Sequence, residues 1–106
     1  MMREKRRYIL VESTIEIAEP ERKQFEHELF KELLHNIGEV GYFRANPKVM
    51  RYLDGKRFIL KCNLAKYKEM IVALTFTKRV DGREIGLYTL NASGTIKALG
   101  AEKGAL

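Results

Sequence analysis

The stretch "VMRYLDGKRFILKC", residues 49–62, decides the fold. Two short runs rich in β-branched, aromatic and apolar residues flank Asp54-Gly55. Asp and Gly tolerate the positive φ of a tight two-residue turn, so the stretch predicts a β-hairpin. On its second run Phe58, Leu60 and Cys62 alternate onto one side, which reads as the core face. On the first run the same alternation places Met50 and Tyr52 on a shared face.

Upstream, "RYILVESTIEI" (7–17) reads as a strand. Ile9, Val11, Ile15 and Ile17 take the core face, interrupted by Ser13. Tyr8, Leu10, Glu12 and Thr14 take the other. Pro20 opens a helix, where its missing N–H costs nothing. Phe25, Leu29, Phe30, Leu33, Leu34 and Ile37 follow at helical spacing until Gly38. "GEVGYFRANP" (38–47), with two glycines and a proline, reads as a connection.

Downstream, Asn63 is placed to cap a helix over roughly 64–77. Tyr67, Met70, Ile71 and Leu74 form its inner side, while Val72 and Phe76 fall on the far side. Either the closing helix covers these two or they form a partner patch. Asp81-Gly82 marks a loop, and "REIGLYTLN" (83–91) reads as a fourth strand. Residues 95–103 read as a short closing helix capped by Ser93 or Thr95, with Gly94 letting the chain turn. The order β-α-β-β-α-β plus a C-terminal helix predicts an α+β fold. It is a ferredoxin-like or RRM-like α/β sandwich, a four-stranded antiparallel sheet with helices on one face. One domain is expected over 1–106, with a basic N-terminal tail at 1–6. The hairpin fixes the second strand beside the third; the first beside the third is assumed from the pattern.

Twenty Lys and Arg stand against fourteen Asp and Glu, a formal charge of +6. The excess suits a polyanionic partner, and its segregation is more telling than its size. Arg3, Lys5, Arg6 and Arg7 gather at the N-terminus, and Lys48, Arg51, Lys56, Arg57 and Lys61 gather around the hairpin. The first helix leans acidic, with Glu19, Glu21, Glu26, Glu28, Glu32 and Glu39. A lone cysteine, Cys62, cannot form an internal disulfide and is expected to be a buried thiol. With no long apolar run or leader-like start, a cytoplasmic location away from membranes is expected.

A catalytic or metal site is hard to assemble from these residues. His27 and His35 are eight apart on a solvated helix, and no ligand spacing forms with the single cysteine. Neither Ser93 nor Thr95 has a triad partner nearby in sequence. "GEVGYFR" (38–44) is similar to the anion loop of acylphosphatases, but it follows the first helix instead of preceding it. The third strand lacks the glycine and paired aromatics of an RNP1 motif, so base stacking on the sheet is expected to be poor. Backbone contact remains: Arg3, Lys5, Arg6, Arg7, Lys48, Arg51, Lys56 and Arg57 are the candidate phosphate contacts. Ser93, Gly94, Thr95 and Lys97 join them at a helix start.

Three stretches, "RRYIL", "VMRYLDGKRFILKC" and "SGTIKA", together resemble the family of archaeal ribonuclease P protein component 2 and its eukaryotic Pop-five relatives. The likeness runs over nearly the whole chain. It implies an RRM-like subunit without RNP motifs, in a ribonucleoprotein that removes the 5′ leader from precursor tRNA. It also implies that the RNA is the catalyst and holds the Mg²⁺, with no cofactor on the protein. The implied partners are ribonuclease P RNA, precursor tRNA through the complex, a TIM-barrel-like protein subunit and possible self-association. Two other readings stay open: a ferredoxin-like module regulated by a small molecule, and an acylphosphatase-like enzyme.

Overall fold

The computed structural model describes residues 5–99. Arg3 and positions 100–103 of the expected closing helix lie outside them. Within that range the chain runs β1 (Arg6–Ser13), α1 (Arg22–Ile37), α2 (Glu39–Ala45), β2 (Lys48–Tyr52), β3 (Arg57–Asn63), α3 (Tyr67–Phe76), β4 (Arg79–Val80), β5 (Arg83–Glu84) and β6 (Leu87–Ser93). Short 3-10 turns at Glu19–Glu21, Leu64–Lys66 and Lys97–Leu99 punctuate it. The main sheet is antiparallel in the order β2-β3-β1-β6, so the expected β1–β3 centre forms.

One face of the sheet meets α1 and α3. Ile9, Val11, Phe58, Leu60 and Cys62 pack there against Phe25, Leu29, Leu33, Met70, Ala73 and Leu74. The four-residue spacing of Phe25, Leu29 and Leu33 presents one stripe of α1 inward, and removing that apolar surface from water drives the packing. Phe25 meets Phe58 edge-on at a centroid distance of 5.9 Å. Cys62 is buried as expected, and burial pushes its thiol up to about 11.

Four local expectations change. Residues 39–45 form α2, not an irregular connection. Gly38 (φ 85°) turns the chain sharply between the two helices, and Gly41 lets α2 nest on α1, since a Cβ there would lie 3.0 Å from Ile37 Cγ2. Asn46 in the left-handed region ends α2 before Pro47. β1 stops at Ser13, whose hydroxyl donates to the Ile15 carbonyl and accepts the Ile15 N–H at 3.0 Å. The chain bends there, yet Ile17 is still buried.

A bulge at Met50, between Val49↔Leu60 and Arg51↔Ile59, breaks the alternation of β2. Val49 and Tyr52 therefore face the core, and Met50 does not share the Tyr52 face. The Tyr52 ring lies against Phe58 (5.7 Å) under the Arg22 guanidinium (4.3 Å), and its hydroxyl donates to Glu26 at 2.9 Å. "REIGLYTLN" divides into two elements. Arg83–Glu84 pairs with Arg79–Val80 around Asp81 and Gly82, both at positive φ, and only Leu87–Ser93 joins the main sheet.

Candidate nucleic-acid interface

The second face of the sheet carries Arg6, Tyr8, Leu10 and Glu12 from β1, with Arg57, Ile59 and Lys61 from β3. Its centre is covered. Leu99, 2% exposed, packs on Leu10 and Ile59, with Tyr8, Leu53 and Ile96 around it. Thr95 Oγ1 accepts the Ala98 N–H at 3.1 Å, so Thr95 caps the 3-10 turn that delivers Leu99. The turn at Lys97–Leu99 thus lies across the open sheet face, far from Val72 and Phe76 on α3. Val72 and Phe76 are 51% and 66% exposed.

Antiparallel pairing gathers the starts of β1 and β2 and the ends of β3 and β6 at one end of the sheet. Lys48 stands opposite Lys61, Lys61 opposite Tyr8, and Tyr8 opposite Ser93, a single row across all four strands. Arg6 begins β1 beside this row, with Lys5 just before it. The Lys5 carbonyl accepts the Leu64 N–H at 2.7 Å and ties down the start of the strand. Arg7 and Gly94 join the same end, and Thr95 follows, while Lys97 lies further on, in the turn over the centre of the face. Lys5, Arg6, Arg7, Lys48, Ser93 and Gly94 of the sequence candidates therefore share one end of the sheet, with Thr95 beside them.

The chain bends at Gly94 as it leaves β6, as expected, but at no positive φ, and the glycine has a second role. A Cβ there would lie 2.9 Å from Arg7 Nη1. The glycine clears room for the arginine, whose guanidinium also lies 5.7 Å from the centroid of the Tyr67 ring. Asn63 does not cap the following turn with its side chain. Its amide donates to the Arg44 carbonyl at 2.7 Å, joining the end of β3 to α2.

Lys56 and Arg57 belong to the opposite end, at the hairpin tip. Arg57 is held by Asp54 through Nη2 at 2.7 Å and Nε at 3.0 Å. Asp54 also accepts the backbone N–H groups of Lys56 (2.8 Å) and Arg57 (2.9 Å). The Lys56 N–H first, then the Arg57 side chain, holds the Asp54 carboxyl below the usual aspartate value. Glu12 and Glu16 line the same shallow surface. The hairpin cations separate, with Lys48 and Lys61 at the basic end, Lys56 and Arg57 at the tip, and Arg51 between them opposite Ile59.

Lys61 is the site residue that the candidate set omits. It lies beside Arg6 and Lys48, and burial first, then those two charges, holds its ammonium below the usual lysine value. The signal was its place on the strand: Lys61 alternates with Ile59 away from the Phe58–Leu60–Cys62 face. On the helical side Val72 and Phe76 border a groove of about 610 Å³ with Ile37, Asn36, Lys68 and Glu69. Val40 and Phe43 on α2, 68% and 70% exposed, add apolar surface that the sequence had assigned to a connection.

Among the described residues no group of three His, Cys, Asp or Glu is placed to hold a metal ion, and no helix is long and apolar enough to cross a membrane. "GEVGYFR" winds into α2, so it forms no anion loop of the acylphosphatase kind. The model of the Rpp14/Pop5 family matches residues 7–103. The chain belongs to the Rpp14/Pop5 family. Its relatives include ribonuclease P protein component 2 of Archaeoglobus fulgidus, 32% identical over 96 residues, covering 91% of this chain and 85% of that protein. The protein of the same name from Methanoculleus marisnigri is 32% identical over 98 residues, covering 92% of this chain. The chain spans 61% of the Methanoculleus protein and 60% of the Saccharolobus islandicus one. Among solved structures, a chain of the cryo-EM structure of yeast ribonuclease MRP superposes with a TM-score of 0.67 at 12% identity. That match covers 97% of this chain and 94% of the other. At that identity the likeness is one of fold: the same sandwich forms from a largely different sequence.

Proposed function

We propose that the chain is a protein subunit of ribonuclease P that supports the RNA in removing the 5′ leader from precursor tRNA. The observation that carries this is the convergence of the dispersed cations of a Rpp14/Pop5 chain on one end of an open sheet face. Folded RNA crowds phosphates, and Lys and Arg placed among them lower that repulsion and release condensed counterions. Catalysis and the Mg²⁺ ions belong to the RNA in this reading, and the protein binds no cofactor of its own. The contact set is Arg3, Lys5, Arg6, Arg7, Lys48, Arg51, Lys56, Arg57, Ser93, Gly94, Thr95 and Lys97, weighted toward the basic end. Lys56 and Arg57 are the weakest members, because Asp54 already neutralises Arg57.

The helical side is left for protein. The exposed Val72 and Phe76 beside an apolar groove fit a protein subunit, which the family resemblance makes TIM-barrel-like, and self-association is a further use of such surface. The assembly would work in the cytoplasm. Its test is reconstitution of an archaeal ribonuclease P RNA with the partner subunit, with and without this chain. The expected result is precursor-tRNA cleavage at a lower Mg²⁺ concentration when the chain is present. An unchanged Mg²⁺ requirement overturns the reading.

A further inference from the structure

The basic end holds a cluster of cations that the fold does not neutralise. Elsewhere several cations are paired with carboxylates, among them Arg22 with Glu19, Lys31 with Glu28, Arg57 with Asp54, Lys66 with Glu69, and Arg83 with Glu21. Arg6, Lys48 and Lys61 have no carboxylate within ion-pair distance among the described residues. Directly opposed side chains in an antiparallel pair have Cβ atoms about 5 Å apart, and like charges placed so repel. Lys48 and Lys61 are such a pair, and Arg6 lies on the same face next along β1 from Tyr8, the other neighbour of Lys61. Among the described residues no side chain relieves this repulsion, and an external anion would.

The same face shows what kind of anion fits. A single strand of RNA gains much of its affinity by stacking bases on aromatic platforms. Here the Tyr8 ring is packed into the patch closed by Leu99, and Tyr52 faces the core under Arg22. Beside the cations Tyr8 is the one aromatic on β1, β2 or β3, and it is half-buried against Leu99, while the exposed Tyr88 stands opposite Glu12 toward the other end of the sheet. A double helix needs no such platform, because it presents its sugar-phosphate backbone and hides its bases. We propose that Arg6, Lys48 and Lys61 form a seat for the sugar-phosphate backbone of double-helical RNA, bordered by the Lys97–Leu99 turn, which keeps bases off the sheet. This seat rests on the RNA-subunit reading and narrows it to one face and one form of RNA.

The test measures binding of the full chain to a labelled RNA hairpin of about 16 base pairs, the span a shape-reading domain covers. A labelled single-stranded 20-residue polyuridine is measured alongside, each across a salt series. The triple variant Arg6→Gln, Lys48→Gln, Lys61→Gln is compared with Lys23→Gln, Lys31→Gln, Lys78→Gln, which removes the same charge elsewhere. The seat requires tighter binding of the hairpin than of polyuridine. It also requires the first variant alone to flatten the slope of log K against log salt by about three, roughly one unit for each phosphate no longer neutralised. Equal losses in both variants show a net-charge effect and overturn the seat, as does an unchanged slope in the first. Polyuridine binding as tight as the hairpin overturns the choice of double helix. If the first variant does not fold, amide shifts of the wild-type chain decide. Adding the hairpin must move Arg6, Tyr8, Lys48 and Lys61, and shifts confined to the helices overturn the seat. The Mg²⁺ requirement of the reconstituted enzyme is a separate readout. Its failure beside a positive hairpin result rejects the ribonuclease P role and leaves the seat standing.

Discussion

The two ends of one sheet use the same residue types for opposite purposes. At the tip of the β2–β3 hairpin the Arg57 charge is bound into the fold. Asp54 accepts two backbone N–H groups and holds Arg57, while Ser13 and Ile17 donate N–H groups to the carbonyls of Lys56 (2.7 Å) and Gly55 (2.6 Å). The exit of β1 is thereby laced around the turn. At the other end Lys48, Lys61 and Arg6 stand together with no acid paired to them among the described residues. An Arg in a hairpin is therefore not a phosphate contact by virtue of its type; its neighbours decide whether its charge is still available.

The largest effect is expected where the charge is already used. Replacing Asp54 with Asn keeps the shape of the side chain but removes the charge that Arg57 and the turn amides share. Hydrogen bonds to a charged group contribute about 1.5–3 kcal/mol when buried, and partial exposure reduces that, so a loss of about 1 kcal/mol is expected in urea unfolding. The pH dependence has a definite sign. The folded carboxyl titrates below the ordinary aspartate value of 3.8, so its stabilisation is present above that value. It is lost as pH falls through the folded value. Wild type and Asp54→Asn should therefore converge in stability under acid. RNA affinity should change little, and a large drop in affinity would erase the distinction between the two ends.

The division between the ends was only half legible in the sequence. The hairpin, the amphipathic first helix and the βαββαβ order follow from alternation and turn chemistry, which act locally. Which cations share an end depends on strand pairing: Arg6 meets Lys61 across 54 intervening positions because β1 inserts between β3 and β6. The bulge at Met50 is equally hidden, since one extra residue moves Tyr52 to the core without changing the apolar pattern. α2 escaped notice because two glycines and Pro47 mark a loop on composition. Its helix rests on tertiary contact, Gly41 under Ile37 and Asn63 on the Arg44 carbonyl. At Gly94 the turn was legible but the room it leaves for Arg7 was not, because a glycine that also clears space for a distant arginine looks in sequence like one that only turns the chain.

That glycine gives an intermediate effect, at the basic end. In Gly94→Ala the new methyl would meet Arg7 Nη1 at 2.9 Å, so the guanidinium must move from its place beside Gly94 and Tyr67. The atom displaced is the far end of a flexible side chain, and an exposed cation–π contact contributes about 0.5–1 kcal/mol, so stability should fall by no more than that. Binding of hairpin RNA should weaken without a change in net charge. Arg7→Gln alone and in combination with Gly94→Ala completes a double-mutant cycle: if the glycine acts through the arginine, its effect on binding vanishes once Arg7 is replaced.

The smallest effect carries the opposite sign from that at Asp54. Lys61 titrates below the usual lysine value because it is partly buried beside Arg6 and Lys48. The unfolded chain therefore holds the proton more tightly than the folded one, and stability rises as pH climbs through the folded value toward the ordinary 10.5. At neutral pH the charge of Lys61 is a cost to the fold. Lys61→Gln should leave the chain as stable or slightly more so, within the roughly 0.5 kcal/mol typical of surface changes, and should blunt the stabilisation that added salt gives the wild type. A clear loss of stability at low salt would mean that Lys61 has a stabilising partner, and the basic end would then resemble the hairpin tip. The same substitution should weaken RNA binding. A residue that costs the free fold a little and helps the bound one is what an unneutralised contact surface requires.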